Sequence, residues 1–374
     1  LKHGRERGGA RRHTMLSLLL CSFVALILAV PLVYFSYRKF RPDADDFFFI
    51  SLLVFLFRYR KADFAAYMKS HRSAFAKARK NGEFLDGVCS YYRVMHGLMT
   101  VVSGPFWHFV PMTKGKSCKE CHKQFHETLV KFLAAKSTDR ILELGCGYGG
   151  IARQVAKISG ASVTGISVAQ EEIAGGTDLI QEAGLEDNCK LVQGNYHKMS
   201  FERESFDKVF GVYSLKYTAN LVAAFTEVAR VLRKGGRFIL YELFVTEKFD
   251  WNNKQHRHHT DAISFSSCMP QLHTKQAFCD SAQRVGLKFL LEADLGRKSS
   301  EGPWYSCFEK NGAYGLLKRS WPSKLVKLGE SAGLLGRGCT DFFEHCIAHP
   351  ITDYVDAGRM GLISGATMMV WEKK

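Results

Sequence analysis

Short apolar runs alternate with helix-patterned stretches between residues 140 and 245. The runs RILELG, ASVTGIS, NCKLVQGN, FDKVFGVYS and GRFILYELFV predict five strands. Between them, apolar residues recur at helical spacing in GGIARQVAKISG, VAQEEIAGGTDLIQEAG and LVAAFTEVARVL, and the last helix is predicted to end at Lys234-Gly235-Gly236. This alternation predicts an α/β fold with a mostly parallel sheet and helices on both faces. Ligands of such sheets bind beyond the carboxyl ends of the strands.

A longer apolar segment lies near the N-terminus. Residues 15–35, MLSLLLCSFVALILAVPLVYF, contain no charge, and ~20 apolar residues suffice for a transmembrane helix. The alternative is a cleaved signal peptide, whose apolar region is usually shorter. We favour a transmembrane anchor within residues 1–40, although basic residues flank both of its ends and therefore predict no orientation.

The next region, residues 41–82, also carries a membrane signal. FFFISLLVFLF, residues 47–57, is too short to span a bilayer, so a re-entrant or interfacial segment and a first core helix both remain open. The stretch ADFAAYMKSHRSAFAKARK that follows predicts a basic amphipathic helix. Such a helix either lies on an anionic membrane or exposes an ordinary solvated face.

The overall charge narrows the choice of partners. The chain has 374 residues and a formal net charge of +16, which favours anionic partners. Its Lys and Arg residues are spread out and are not interleaved with aromatic residues, so the sequence favours a membrane lipid surface and not nucleic acid. Eleven cysteines at irregular spacings predict free thiols in a reducing compartment.

Candidate chemistry concentrates at the end of the first predicted strand, in ILELGCGYGG, residues 141–150. The glycines fit the GxGxxG dinucleotide pattern, but the second strand ends at Ser167 without an acid for the ribose. Glu143 would repel a pyrophosphate, whereas it suits a cofactor with a positively charged head. S-adenosylmethionine carries an ammonium and a sulfonium, and glycines let the backbone approach such a ligand closely. The loop therefore predicts an S-adenosylmethionine site.

The same residues carry a resemblance to a known family. ILELGCGYGG is similar to the first motif of class I S-adenosylmethionine-dependent methyltransferases. YYRVMHGLMTVVSGPFWHFVP resembles the aromatic substrate motif of the sterol methyltransferases, which alkylate the sterol side chain. The likeness runs from about Tyr91 to Lys310. It implies a methyltransferase domain over residues 83–310 and a substrate-binding C-terminal segment over residues 311–374.

The resemblance implies a set of cofactor contacts. Residues of the glycine loop would line the methionine part of the cofactor. Ser167 stands where the family places a ribose-binding residue, and Asn195 where an aspartate meets the adenine amine. Each can still make one hydrogen bond, on the order of 1 kcal/mol. The predicted cofactor-binding residues are Glu143, Gly145, Cys146, Gly147, Gly149, Ser167, Asn195, Tyr196 and Tyr213.

One departure from the family indicates different chemistry. Side-chain methylation leaves a carbocation, which aromatic rings and a carboxylate stabilise. In this chain Lys216 replaces the family's acid after the fourth strand, and MTVVS, residues 99–103, replaces an aromatic and acidic cluster. A lysine would stabilise an enolate instead. The chain therefore resembles the nematode sterol 4-methyltransferases more closely, which implies methylation of ring carbon 4 of a 3-keto sterol.

Three residues are candidates for that reaction. His108 is the candidate base, Tyr92 assists it, and Lys216 supports the enolate oxygen. The alternative for Lys216 is that its side chain points to solvent. Three other functions remain open: methylation of the sterol side chain at C-24, methylation of another lipid or small molecule, and lipid binding without catalysis.

Two further clusters carry weak metal signals. The CxxCH run at residues 118–122 lacks a second pair of ligands, and the adjoining QFHETLVKFLAA predicts an ordinary helix. The histidines of HRHH, residues 256–259, fall in a predicted loop that could cap the substrate pocket. We predict no metal at either cluster.

The predicted partners are a sterol and membrane lipid, and a homo-oligomer remains open. A substrate that lives in lipid and a cofactor that is soluble in the cytosol predict a membrane enzyme. Its catalytic domain is expected to face the cytosol at the endoplasmic reticulum.

Overall fold

Seven strands form one mixed sheet in the part of the chain that the computed structural model describes, which is residues 48–82, 84–102, 106, 108–296 and 302–374. The strands are β1 (Arg140–Leu144), β2 (Ser162–Ser167), β3 (Cys189–Gln193), β4 (Phe206–Val212), β5 (Leu232–Val245), β6 (Leu287–Asp294) and β7 (Ile363–Lys373). Their order across the sheet is β3-β2-β1-β4-β5-β7-β6. The first five are parallel, and β7 runs antiparallel to both of its neighbours.

Helices cover both faces of the sheet, which is why β1 is apolar and buried along nearly its whole length. One face packs against α4 (Cys118–Leu133), α5 (Gly150–Ser159) and α6 (Gln170–Glu182), and the other against α7 (Leu221–Val231) and α9 (Lys275–Arg284). The helices are α1 (Phe48–Arg58), α2 (Phe64–Asn81), α3 (Leu85–Val102), α4 (Cys118–Leu133), α5 (Gly150–Ser159), α6 (Gln170–Glu182), α7 (Leu221–Val231), α8 (Lys254–Ser266), α9 (Lys275–Arg284), α10 (Ser306–Lys310), α11 (Ala313–Leu317), α12 (Trp321–Ser331), α13 (Cys339–Phe342) and α14 (His349–Arg359). A 3₁₀ turn spans Leu215–Tyr217, and a π-helical turn spans Phe343–Ala348.

The predicted α/β fold and its five parallel strands are confirmed, with one shifted boundary. The helix before β5 ends at Val231 and not at the glycine pair that follows Lys234. The reason is that Leu232 is fully buried and pairs with Phe206 of β4, so the strand begins there.

The sheet also contains two strands that the apolar pattern did not reveal. In β7 the run from Met368 to Trp371 is buried on both sides, and such a run cannot be told from a buried helix by periodicity. β6 is an edge strand and keeps several side chains exposed. Since β7 lies between β5 and β6, the predicted division at residue 310 falls between strands of a single sheet.

The N-terminal helices pack against the C-terminal ones in a core of their own. Phe342 of α13 is fully buried. Its ring centroid lies 6.1 Å from that of Phe55 in α1, 4.5 Å from that of Phe64 and 5.6 Å from that of Tyr67, both in α2. Residues 47–57 have two interpretations, a re-entrant or interfacial segment and a first core helix, and this contact supports the core helix.

The predicted anchor at residues 15–35 lies outside the described residues. Within the described ranges, we find no helix with the length and hydrophobicity needed to cross a membrane.

The two histidine-containing clusters have ordinary structural roles. α4 begins after Ser117, whose hydroxyl accepts from the backbone N–H of Glu120 in a capping box, so the CxxCH run starts a helix as predicted. The loop predicted around residues 256–259 is wrong, because these residues belong to α8, which Asn253 caps. There His259 is buried with its Nδ1 2.7 Å from the carboxylate of Asp353. The described residues contain no group of three or more ligands suited to a metal ion.

The shared N- and C-terminal core predicts a large loss of stability on truncating its central ring. We expect Phe342→Ala to lower the free energy of unfolding by about 3–5 kcal/mol, because it opens a cavity among three helices. Chemical denaturation measures this change. Leu328→Ala, at a position that is 64% exposed, is the matched control and should stay within about 0.5 kcal/mol of the parent. Equal effects of the two substitutions would contradict the packing described here.

Candidate active site

A pocket opens at the carboxyl ends of β1, β2 and β4, where the glycine loop joins β1 to α5. Gly145, Gly147 and Gly149 have φ angles of 68°, 53° and 67°, a left-handed conformation that residues with a Cβ rarely adopt. Apolar and aromatic side chains with a few polar groups line the pocket, which suits a small molecule. The predicted residues that line it are Tyr92, His108, Glu143, Gly145, Cys146, Gly147, Ser167, Tyr196 and Tyr213.

Glu143 brings a buried carboxylate to the floor of this pocket. Its side chain is only 2% exposed, and its Oε2 atom has no hydrogen-bond partner among the described residues. Burial raises the pKa of Glu143 to about 8, against the opposing effects of the Ala152 N–H and the Arg153 guanidinium. A buried carboxylate with a free oxygen is costly to ionise alone. It is therefore suited to a ligand that carries positive charge.

Glu172 is a pocket residue that the sequence reasoning missed. It lies in the first turn of α6, is 8% exposed, and its Oε2 accepts a hydrogen bond of 2.9 Å from the Ser167 hydroxyl. Burial raises the pKa of Glu172 to about 7, although the Ser167 hydroxyl lowers it. The search for an acid considered only the end of β2, whereas this acid stands five residues further on and returns to the same place. It can accept hydrogen bonds from a ligand's hydroxyl groups.

Two predicted cofactor residues do not line the pocket. Gly149 caps α5, and a Cβ there would lie 2.7 Å from the side chain of Leu191, so its role is in the turn. The Oδ1 atom of Asn195 accepts a 2.9 Å hydrogen bond from the backbone N–H of His197. An asparagine that closes its own turn in this way has its acceptor occupied.

Tyr196 and Tyr213 are fixed by hydrogen bonds at their tips. The Tyr196 hydroxyl donates to the carbonyl of Ser214 at 3.3 Å, and the Tyr213 hydroxyl donates to the carbonyl of Gly365 at 2.6 Å. A Cβ at Gly365 would lie 2.4 Å from the Tyr213 hydroxyl oxygen, so β7 must carry a glycine there. The last strand of the chain thus positions a side chain of the pocket.

Three tyrosines form a wall between this pocket and a second one. Tyr92, Tyr213 and Tyr217 line both pockets, and the hydroxyls of Tyr92 and Tyr217 lie 2.7 Å apart. We call this group the tyrosine wall. Burial raises the pKa of each hydroxyl well above its usual value, so all three stay protonated and can donate hydrogen bonds.

The second cavity lies on the other side of the tyrosine wall, and Lys216 lines it. We call this cavity the aromatic pocket. The side chain of Lys216 is 6% exposed, so the alternative that it points to solvent is wrong. Its Nζ lies 4.6 Å from the ring centroid of Tyr213 and 5.2 Å from that of Tyr217. Further lining residues of the aromatic pocket are Phe48, Tyr91, Met95, Phe109, Phe308, Ile347 and Tyr354.

Glu242 is the acidic partner of Lys216 in the interior. Its carboxylate is fully buried and accepts hydrogen bonds from the backbone N–H groups of Leu215 at 2.8 Å, Lys216 at 3.1 Å and Leu243 at 2.9 Å. Burial raises the pKa of Glu242 to about 7, against the opposing effects of the Lys216 ammonium and of these hydrogen bonds. Burial lowers the pKa of Lys216, and Glu242 opposes that shift. The pair therefore holds a cation beside the aromatic pocket with its counter-ion on the strand side.

His108 lines the first pocket and not the aromatic pocket. Its ring is 4% exposed, and its Nε2 atom has no hydrogen-bond partner among the described residues. Burial lowers the pKa of His108 well below its usual value, and His122 and His126 lower it further. The imidazole is therefore neutral and can accept a proton, but the same burial makes it a weak base.

Known proteins agree with this architecture. A methyltransferase domain model matches residues 142–240. The chain is 29% identical over 326 residues to a sterol 4-C-methyltransferase of Caenorhabditis elegans, and the alignment covers 87% of this chain and 97% of that protein. It is also 26% identical over 303 residues to a sterol 24-C-methyltransferase of Saccharomyces cerevisiae, and this alignment covers 78% of this chain and 77% of that protein.

Solved structures share the fold at low sequence identity. A geranyl diphosphate C-methyltransferase from Streptomyces coelicolor, in complex with S-adenosyl-L-homocysteine, has a TM-score of 0.54 at 14% identity and covers 72% of this chain and 92% of that chain. The cyclopropane synthase MmaA2 from Mycobacterium tuberculosis has a TM-score of 0.56 at 11% identity and covers 72% of this chain and 90% of that chain.

The fold and the glycine-loop pocket define a class I S-adenosylmethionine-dependent methyltransferase. Within this class the chain is similar to sterol C-methyltransferases along most of its length. When bound, S-adenosylmethionine supplies an electrophilic methyl group. The pocket fits that cofactor, because the free oxygen of Glu143 faces a site for a cation and Glu172 offers acceptors for hydroxyl groups. Burial raises the pKa of Cys146 well above its usual value, so this loop cysteine remains a thiol and is no nucleophile.

The raised pKa of Glu143 predicts that cofactor binding releases a proton. A cation beside the carboxylate favours its ionised form, so binding lowers the pKa from about 8. The affinity should therefore rise with pH up to about pH 8 and then level off. Calorimetry in buffers of different ionisation enthalpy counts the protons released.

Glu143→Gln serves as the control for that titration. It should abolish the Glu143 part of the proton release and weaken binding roughly 10- to 100-fold, since a hydrogen bond to a charged group contributes about 1.5–3 kcal/mol. The same proton count in the parent and the variant would rule out Glu143 as the titrating group.

A second prediction concerns Glu172. We expect Glu172→Gln to weaken cofactor binding roughly tenfold or more, because a buried carboxylate accepts hydroxyl hydrogen bonds more strongly than an amide. Glu171→Gln is the matched control, since Glu171 is an exposed neighbour that meets Arg93 at 3.6 Å on the surface. Calorimetric titration with S-adenosylhomocysteine compares the two variants, and equal affinities would remove Glu172 from the binding site.

Proposed function

We propose that this protein methylates ring carbon 4 of a 3-keto sterol. Removal of the proton next to the ketone gives an enolate, whose carbon 4 accepts the methyl group as the ketone re-forms. The observation that carries the proposal is the buried ammonium of Lys216 at the wall of the aromatic pocket. The sterol 4-C-methyltransferase of Caenorhabditis elegans supports the same choice of carbon.

Lys216 determines which charge the aromatic pocket favours. A preorganised ammonium in a water-poor site stabilises a developing oxyanion far more than it would in water. It would repel a carbocation on the substrate by the same interaction. Glu242 keeps the ammonium ionised from the other side, through a carboxylate that three backbone N–H groups already hold in place.

We further propose His108 as the base, with the tyrosine wall assisting. The free Nε2 of His108 supports a role in accepting the substrate proton, and the protonated hydroxyl of Tyr92 can donate a hydrogen bond to the substrate oxygen. His108 and Lys216 line different pockets, so the substrate ring has to lie at the tyrosine wall to meet both. The lowered pKa of His108 means that the proton it takes is readily passed on.

Side-chain methylation is the second candidate. The many aromatic rings of the aromatic pocket favour it, because their faces attract a carbocation. The yeast relative is a sterol 24-C-methyltransferase. The position of Lys216 argues against it. For either reaction we propose an enzyme at the endoplasmic reticulum membrane with this domain facing the cytosol, because the acceptor is a lipid and the cofactor is soluble.

A label-transfer assay tests the choice of substrate. Purified protein is incubated with methyl-labelled cofactor and either a 3-keto sterol or a sterol with a side-chain double bond. We expect label at ring carbon 4 of the 3-keto sterol, located by mass spectrometry and NMR. Label only in the side chain would overturn the proposal.

Substitution of Lys216 links the reaction to the structure. Lys216→Met should lower kcat on the 3-keto sterol roughly 100-fold, comparable to the loss of one oxyanion donor, and leave cofactor affinity unchanged. Lys216→Met alone leaves the buried Glu242 carboxylate without its cationic partner. The double variant, Lys216→Met with Glu242→Gln, tests the same loss of the ammonium without an unpaired buried charge. Lys190→Met, at an exposed lysine of β3, is the control and should keep full activity.

A further inference from the structure

The aromatic pocket lies between two hydrophobic cores of the described chain. Tyr213 and Tyr217 of the tyrosine wall belong to the core on one face of the sheet. Phe48, Met95 and Ile347 belong to the core that the first and last helices share. All five side chains line the pocket. The pocket therefore extends from the tyrosine wall to a second end formed by Phe48, Met95 and Ile347, which we call the helical end.

The π-helical turn and α14 run along the pocket from one end to the other. Tyr354 of α14 lies near the tyrosine wall, because the ring centroid of Phe109 is 5.2 Å from that of Tyr354 and 5.5 Å from that of Tyr213. Ile347, in the π-helical turn that leads into α14, precedes Tyr354 by two turns. Two helical turns span about 10 Å along the axis. The helical end is therefore set well apart from the wall.

The two ends of the pocket differ in their chemistry. The wall end carries the ammonium of Lys216 and the hydroxyl groups of the three tyrosines. The side chains of the helical end contain no nitrogen or oxygen atom, and Phe48, Met95 and Ile347 are only 3%, 5% and 1% exposed. An apolar site that is closed to water favours an alkyl group, because the group loses its contact with water on binding.

We propose that the helical end binds the aliphatic side chain of the sterol, while the ring that carries the ketone lies at the tyrosine wall. This orientation rests on the proposed function, because the ketone oxygen has to meet Lys216 and ring carbon 4 has to meet the methyl group of the cofactor at the wall. Phe48, Met95 and Ile347 then determine which side chains are accepted. The substrate class is a 3-keto sterol with an intact side chain, whereas methylation at C-24 requires the reverse orientation.

Photo-cross-linking of the full chain tests this orientation without methyl transfer. The probe is a 3-keto sterol with a diazirine at the end of its side chain, and S-adenosylhomocysteine is present in excess. We expect cross-links to the peptides that contain Phe48, Met95 or Ile347, located by mass spectrometry and suppressed by an excess of the unmodified 3-keto sterol. Cross-links to the peptide that contains Tyr213 and Lys216, without any to the helical end, would overturn the proposal.

A pair of substitutions tests the same orientation by binding. Each variant is titrated with a 3-keto sterol and with a 3-keto steroid that lacks the side chain. Met95→Ala should weaken binding of the sterol roughly tenfold, because apolar contact with the side chain is lost, and leave binding of the short steroid unchanged. Phe109→Ala, at the wall end, is the matched control and should weaken both ligands by the same factor. Cofactor affinity unchanged from the parent would show that the variants are folded.

These experiments separate failure of the orientation from failure of the proposed reaction. Methyl label on ring carbon 4, together with cross-links only at the wall, would overturn the orientation alone. Methyl label in the side chain, together with cross-links only at the wall, would overturn the proposed reaction and the orientation with it. An equal loss of both ligands in Met95→Ala would contradict a role for the helical end in binding the side chain.

Discussion

A buried carboxyl group with one oxygen atom that has no hydrogen-bond partner among the described residues lies at the end of β1, and the architecture of the glycine-loop pocket depends on it. Glu143 is buried with one oxygen free, in a place where ionisation alone is costly. The glycines that follow Glu143 in the chain have positive φ angles, so the backbone of the loop leaves room for a ligand beside the acid. A cationic cofactor resolves the electrostatic cost that the fold creates. The glycine-loop pocket is thus defined by a carboxyl group that a cationic cofactor would ionise on binding.

The tyrosine wall separates the pocket that contains Glu143 from the aromatic pocket that contains Lys216. Three rings are shared by two cavities, and one of them, Tyr213, is fixed from the far end of the chain by the carbonyl of Gly365. The carboxyl groups of Glu143 and Glu172 lie on the glycine-loop side of the wall, whereas the ammonium of Lys216 lies on the side of the aromatic pocket. The acidic side chains suit a cationic cofactor, and the lysine gives the aromatic pocket the opposite charge.

The first and last helices of the described chain build the aromatic pocket together. Phe48 comes from the N-terminal helices and Tyr354 from the C-terminal ones, and both line the aromatic pocket. Phe342 holds these helices in one core, and α12 packs on the same core through Val326. The shape of the aromatic pocket therefore depends on packing between helices that are far apart in the chain.

The sequence by itself determined the parallel part of the sheet and the glycine loop, because both depend on patterns among residues that are close together in the chain. Five strands, their crossover helices and the pairing of Glu143 with a glycine turn depend on residues close together in the chain. The remaining features depend on contacts between distant residues. Glu172 reaches Ser167 only once α6 folds back over β2, β7 enters the sheet more than a hundred residues after β5, and the buried position of Lys216 depends on Glu242. Burial and partnership decide the charge and the direction of such side chains, and these are properties of the packed chain that no local pattern records.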